Sequence, residues 1–173
     1  NEDLTEPGSL EITSTTLNGT NKLVIKPNSG KTPTVTFTAV ATSGNRGNSG
    51  LAVSGSASVV RNITIDGSNT PNGTTRDMTF ALDDGTAGRY VLRFNGDTDD
   101  ITIKNLKIIG KARMATTSSG TRTYGIYAAS SSTAASDNFV IHNCQIGSAE
   151  SAFYYSIYKP DGGTFPYKKN LNI

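Results

Sequence analysis

The chain has 173 residues, with 16 Lys and Arg against 14 Asp and Glu, for a net charge of +2. Hydrophobic residues make up 35% and charged residues 17%, which excludes a charge-rich disordered chain; no apolar run is long enough for a membrane-spanning helix. The positive residues are scattered and leave no footprint for nucleic acid. A single cysteine excludes both a disulfide framework and a multi-cysteine zinc site.

Abundant Ser, Thr, Asn and Gly suit short strands joined by polar turns and an extracellular location. Residues 1–20 are expected to be a polar leader or cap, with Leu10-Glu11-Ile12 as a first short strand. Asn18-Gly19-Thr20-Asn21 is turn chemistry, followed by a strand at Leu23-Val24-Ile25 that Pro27-Asn28-Ser29-Gly30 closes. Val35-Thr36-Phe37 alternates as a strand does. Leu51-Ala52-Val53 is the next strand, and a turn is expected over 55–58. Strands follow at Met78 to Leu82 and Tyr90 to Phe94, with a turn at Asn95-Gly96. Tyr124 to Ala128 and Ala152 to Ser156 are expected to be the last strands of this kind.

Between them runs a repeat. Asn62-Ile63-Thr64-Ile65-Asp66-Gly67 returns as Asp100-Ile101-Thr102-Ile103-Lys104-Asn105 and again as Asn138-Phe139-Val140-Ile141-His142-Asn143. The spacing is 38 residues both times, with weaker copies at Leu23 and Leu171. A fixed period in this range predicts a solenoid, in which each turn of chain buries its apolar face only against its neighbours. Ile63, Ile101 and Phe139 are expected to line up inside, as are Ile65, Ile103 and Ile141. Asn105 and Asn143 share one turn position, so their amides are expected to bond to each other, with the ladder starting at Asn105. Cys144 aligns with Leu106 and is expected to be a small buried hydrophobe.

These repeats resemble those of right-handed parallel β-helix proteins, the pectin-lyase-like superfamily, and phrases such as Ile63-Thr64-Ile65-Asp66-Gly67-Ser68-Asn69 look like repeats of secreted Bacteroidota-type surface proteins. The resemblance covers roughly residues 20–173 and implies an all-β, right-handed parallel β-helix of about four coils over 21–173. It also implies export by a type IX-like route. The chain stops one strand into a new coil, so the solenoid is expected to continue beyond 173 or to pair its open end with another copy.

Four groups of side chains are candidates for function. Asn95, Asp97, Asp99 and Asp100 form an acidic stretch, expected to be a loop, whose oxygens suit Ca²⁺. The EF-hand spacing fails, because the sixth position is Asp100 and the twelfth Leu106; the ordinary alternative is a solvated β-turn. Tyr124, Tyr127, Tyr154 and Tyr155, with Tyr158 near them, are expected to form an aromatic strip suited to sugar rings, against the alternative of core packing. The lone His142 falls in register with Lys26, Asp66 and Lys104, expected to be an outward, solvated column in which Asp66 interacts with the flanking lysines, against the alternative of His142 as a general base or substrate contact. Lyases of the resembled fold use clustered Asp for Ca²⁺ and an Arg as base. Arg93 is outward here, but no acidic cluster matches, and one acid in the column disfavours the paired carboxylates of a hydrolase.

The expectation is therefore a secreted or cell-surface β-helix without catalysis in this segment, acting as adhesin, stalk or carbohydrate-binding surface. Its partner would be a surface polysaccharide or a further copy of the solenoid. The alternatives are a polysaccharide lyase or glycoside hydrolase, or a subunit of an extracellular filament.

Overall fold

A computed structural model describes residues 3–7, 10–13, 20–38, 49–83, 89–110, 123–129, 138–148, 153 and 155–158. Among the described residues there are twelve strands and no helix. Among those residues, none forms a helix long and apolar enough to cross a membrane.

The strands divide between two parallel sheets. The first contains β1 (Leu4–Glu6), β4 (Thr34–Phe37), β6 (Met78–Leu82), β8 (Leu106–Ile109) and β11 (Gln145–Ile146), side by side in chain order. The second contains β2 (Leu10–Ile12), β5 (Ser49–Asp66), β7 (Arg89–Lys104), β9 (Thr123–Ala129) and β12 (Tyr155–Tyr158), again in chain order. Also in the second sheet, β3 (Leu23–Ile25) pairs with β5 and β10 (Val140–His142) with β7. Every pairing is parallel. Parallel neighbours need long crossovers, and here the chain passes through the other sheet before returning. The result is an all-β protein of parallel sheets, compatible with a β-helix.

The register is the one the repeat predicts. Ile63 pairs with Ile101, and Ile65 with Ile103, which pairs with Ile141. Leu51, Leu92, Ile126 and Ile157 form another row, and Val35, Phe80, Ile108 and Ile146 a third, in the opposite sheet. Ile63, Ile65, Leu92, Ile101, Ile103, Ile108 and Ile126 are fully buried in one continuous core. Each such side chain contributes about 1.5–3 kcal/mol through burial, and β-branched residues suit the pleated surface. Edge-to-face ring pairs, Phe37 with Phe80 at 5.6 Å and Phe94 with Phe139 at 4.9 Å, pack within the same core.

Among the described residues, pairing begins at Leu4, within the stretch read as a polar leader or cap. The strand boundaries are corrected. The stretches 55–58 and Asn95-Gly96, expected to be turns between strands, lie inside β5 and β7, which pair as far as Gly55 with Gly96 and again from Val60 with Thr98, with a register shift between Gly55 and Val60. Gly96, within the expected turn, is left-handed with φ of 76°, and so are several Asn and Asp residues. Asn62, Asp100 and Asn138 have φ of 61°, 52° and 54°, and Asn105 and Asn143 have 54° and 50°. Asn and Asp tolerate this region better than other residues with a Cβ. They bracket the repeated strand at both ends.

Candidate functional site

At one end of the repeated strand lies a polar clasp. Asn143 Nδ2 donates to Asn105 Oδ1 at 2.7 Å, and Asn105 Nδ2 donates to Asp66 Oδ1 at 2.8 Å. The ladder thus starts one step earlier than expected, at Asp66. Residues 67–77 fold over it: the same two amides also donate to the carbonyls of Gly73 (3.1 Å) and Thr74 (2.6 Å). Arg76 Nη2 donates to Asn143 Oδ1 at 3.2 Å. Gly67 sits where any Cβ would run into the Asn105 carbonyl oxygen. The bond between Asn143 and Asn105 is the one expected; Asp66, Arg76 and the cover of residues 67–77 were not foreseen, because these partners are brought together only by the fold.

The column expected to be solvated is partly buried. Asp66 is only 7% exposed, and Lys104 Nζ pairs with its Oδ2 at 3.0 Å. Burial pushes the Asp66 carboxyl up, but hydrogen bonds from Asn105 and the Ser68 N–H, with Lys104, outweigh it and hold the pKa below the ordinary value. His142 pairs in register with Lys104; burial first, and then the Lys104 charge, lower its pKa. Lys104, Asn105, His142 and Asn143 line a hollow of about 580 Å³ with Asn72 and Thr74. The Asn105 and Asn143 amides are engaged within the clasp, so these two residues serve the fold. Cys144 is buried as expected, and burial pushes its thiol up to about 11.

The acidic stretch is strand rather than loop. Asn95, Asp97, Asp99 and Asp100 all lie in β7. Asp99 faces Arg61 at 3.5 Å, and Asp100 Oδ1 accepts from Asn138 Nδ2 at 2.9 Å. Among the described residues, no three His, Cys, Asp or Glu side chains converge as metal ligands.

The tyrosines do converge. Tyr90 of β7 pairs with Tyr124 of β9, and Arg93 with Tyr127, which pairs with Tyr158 of β12. Tyr90 and Tyr124 stack at 4.8 Å with their planes 21° apart, and Tyr127 stacks on Tyr158 at 5.6 Å and 29°. Tyr90 and Tyr127 touch at 4.6 Å, and Tyr124 and Tyr158 at 5.4 Å, so four rings form one patch across three strands. The Arg93 guanidinium lies 5.2 Å from the Tyr90 ring centre and 5.9 Å from that of Tyr127. Tyr124, 8% exposed, is the floor of the patch; Tyr90, Tyr127 and Tyr158 are half-buried around it. Burial and the neighbouring phenols raise the Tyr127 pKa, against the opposing pull of Arg93.

Between Tyr124 and Ile126, Gly125 leaves room for its neighbours: a Cβ there would come within 2.6 Å of an Ile146 methyl and 2.7 Å of the Ser156 carbonyl oxygen. Of the expected strip, Tyr124 and Tyr127 are in the patch. Tyr154 lies outside the described residues, as does the Tyr155 side chain, although the Tyr155 backbone pairs with Tyr124. Tyr90 and Arg93 were missed as members of it. A signal for them was present: Tyr90-Val91-Leu92-Arg93, Tyr124-Gly125-Ile126-Tyr127 and Tyr155-Ser156-Ile157-Tyr158 are one short phrase repeated.

Fold and patch together define an all-β protein of parallel sheets bearing an aromatic surface cluster. Searches of known protein families, of curated proteins and of solved structures return no match.

Proposed function

We propose that the chain is a right-handed parallel β-helix of the kind found in secreted bacterial surface proteins, and that it works outside the cell as a polysaccharide-binding surface. The patch of Tyr90, Tyr124, Tyr127 and Tyr158 with Arg93 is the contact. The observation that carries this reading is the joining of four phenol rings across three strands. A sugar offers apolar C–H faces and hydroxyls on one molecule. A phenol offers an apolar ring and a hydroxyl that both donates and accepts, so a cluster of them meets both needs. A rigid sheet holds the rings in place before binding, which limits the ordering cost.

Affinity electrophoresis against a panel of soluble polysaccharides tests this. The wild-type chain is expected to be retarded by at least one of them. Tyr127→Ala and Tyr158→Ala should each weaken that retention about tenfold, the effect of losing roughly 1.4 kcal/mol. Retention that survives both substitutions would show that the patch is not the contact.

A further inference from the structure

The four phenols of the patch are close enough to react with one another. Parallel strands in register set matching positions roughly 4.8 Å apart, and Tyr90 pairs with Tyr124 as Tyr127 does with Tyr158. Of the four ring contacts that join the patch, the shortest runs diagonally across this grid, 4.6 Å between Tyr90 of β7 and Tyr127 of β9. These two rings are tilted by 59°, whereas Tyr90 on Tyr124 and Tyr127 on Tyr158 are stacked. Stacking presents face to face. Tilting turns a ring edge towards the neighbour, and the carbons ortho to a phenol hydroxyl, which form bonds on oxidation, are edge carbons.

We propose that the patch is a site of oxidative cross-linking, at which hydrogen peroxide acting through a peroxidase joins Tyr90 to Tyr127 as dityrosine. Each phenol gives up one electron and its hydroxyl proton, leaving two neutral phenoxyl radicals. A carbon–carbon bond forms between their ortho carbons. The hydrogen on each of those carbons then moves to the oxygen of its own ring, restoring both hydroxyls. The chain loses two hydrogens in all, and one hydrogen peroxide takes up two electrons and two protons to become two waters.

The surroundings favour this course. The Arg93 guanidinium lies 5.2 Å from the Tyr90 ring centre and 5.9 Å from that of Tyr127. A cation there disfavours a charged ring, so loss of the electron goes with loss of the proton, and the two neutral radicals do not repel each other. An indole yields electrons more readily than a phenol, but the sequence has no tryptophan, and its one thiol, Cys144, is buried. Tyr90 and Tyr127 are half-buried, within reach of an oxidant in solvent, while Tyr124 beneath them is 8% exposed. Strand pairing holds both rings before the reaction, which favours coupling within a chain over coupling between chains. The bond would fasten β7 to β9 covalently.

Treatment of the full chain at low-micromolar concentration with a peroxidase and limiting hydrogen peroxide tests this. The product should be a single chain lighter by two hydrogens, with the blue fluorescence of dityrosine. Trypsin, cutting after Arg89 and Arg93, frees Tyr90 from every other tyrosine, so the cross-linked peptide should contain residues 90–93, and its fragmentation should place the bond at Tyr127. Tyr90→Phe and Tyr127→Phe, which keep the ring, should each lower the yield of this product about tenfold, because the reacting pair is no longer held together. Circular dichroism checks that each variant is folded, and the peptide map of the wild-type chain stands without them. Coupling only between chains overturns the proposal, as does a bond mapped to another pair of tyrosines, oxygen addition without loss of hydrogens, or a folded variant that couples as the wild type does. No polysaccharide enters the experiment, so its failure leaves the binding reading standing, and loss of polysaccharide binding would leave this proposal standing.

Discussion

Asn143 donates its amide hydrogen to the side-chain oxygen of Asn105 at 2.7 Å, across 38 positions of chain. Asn105 passes the interaction on to Asp66 and is itself only 2% exposed. Three successive passes of the chain are thus tied at one corner by side chains rather than by backbone pairing alone. A chain of buried hydrogen bonds is strong when every member is satisfied, and costly when one is removed.

Asn105→Ala removes both donors and the acceptor in the middle of this ladder. It should cost about 2–3 kcal/mol, because the buried Asp66 carboxylate loses a hydrogen-bond donor and Asn143 loses its acceptor. Thermal unfolding followed by circular dichroism should show a drop of roughly 5–10 °C. A drop no larger than that of a surface Thr→Ala change would show that the ladder does not stabilise the corner.

Gly67→Ala sets a methyl group against the Asn105 carbonyl oxygen, a backbone atom that cannot move aside. The expected loss is about 2–3 kcal/mol. Gly30→Ala is the control: Gly30 has φ of 72° but open space around it, so the change costs only the backbone term of about 1–2 kcal/mol. Urea unfolding of the two variants should rank them in that order.

Acid should destabilise the chain in two steps. His142 has a lowered pKa in the fold, so its contribution is complete above the ordinary 6.5 and is lost as pH falls through 6.5 towards the folded value. Asp66 also has a lowered pKa. Its contribution is complete above the ordinary 3.8 and is lost as pH falls through the folded value beneath that. Melting temperature against pH should show both declines, with His142→Gln removing the upper and Asp66→Asn the lower. A single decline left unchanged by either substitution would contradict this assignment.

Tyr127 should be among the last tyrosines to ionise, because burial and the neighbouring phenols raise its pKa above the ordinary 10.0. Alkaline titration of the phenolate absorbance should show a late component that Tyr127→Phe removes. The chain has seven tyrosines and no tryptophan, so no indole signal overlaps the measurement.

The spacing of apolar residues was enough to place Ile63 beside Ile101 and Ile103 beside Ile141. In a parallel pair, a slip of one residue would turn the buried face to solvent, so the alternation itself determines the register. It was also enough to place Asn143 beside Asn105 and to bury Cys144. The left-handed Asn and Asp residues were visible as residue types, and Asn62, Asp100 and Asn138 recur at 38-residue intervals.

What only the tertiary structure decided is the environment of each polar position. Alternation assigns Asp66 to the outward side of its strand, yet residues 67–77 fold back, cover it and pull the ladder's origin onto its carboxylate. The same holds for the tyrosines. Pattern identifies a strip, but the neighbours of Tyr124 depend on which strands lie beside β9, so Tyr90 and Arg93 entered the patch only through pairing across the sheet. Periodicity carries burial because burial repeats with the backbone. A side chain's partners come from segments far away in sequence, and these are set only when the sheets have formed.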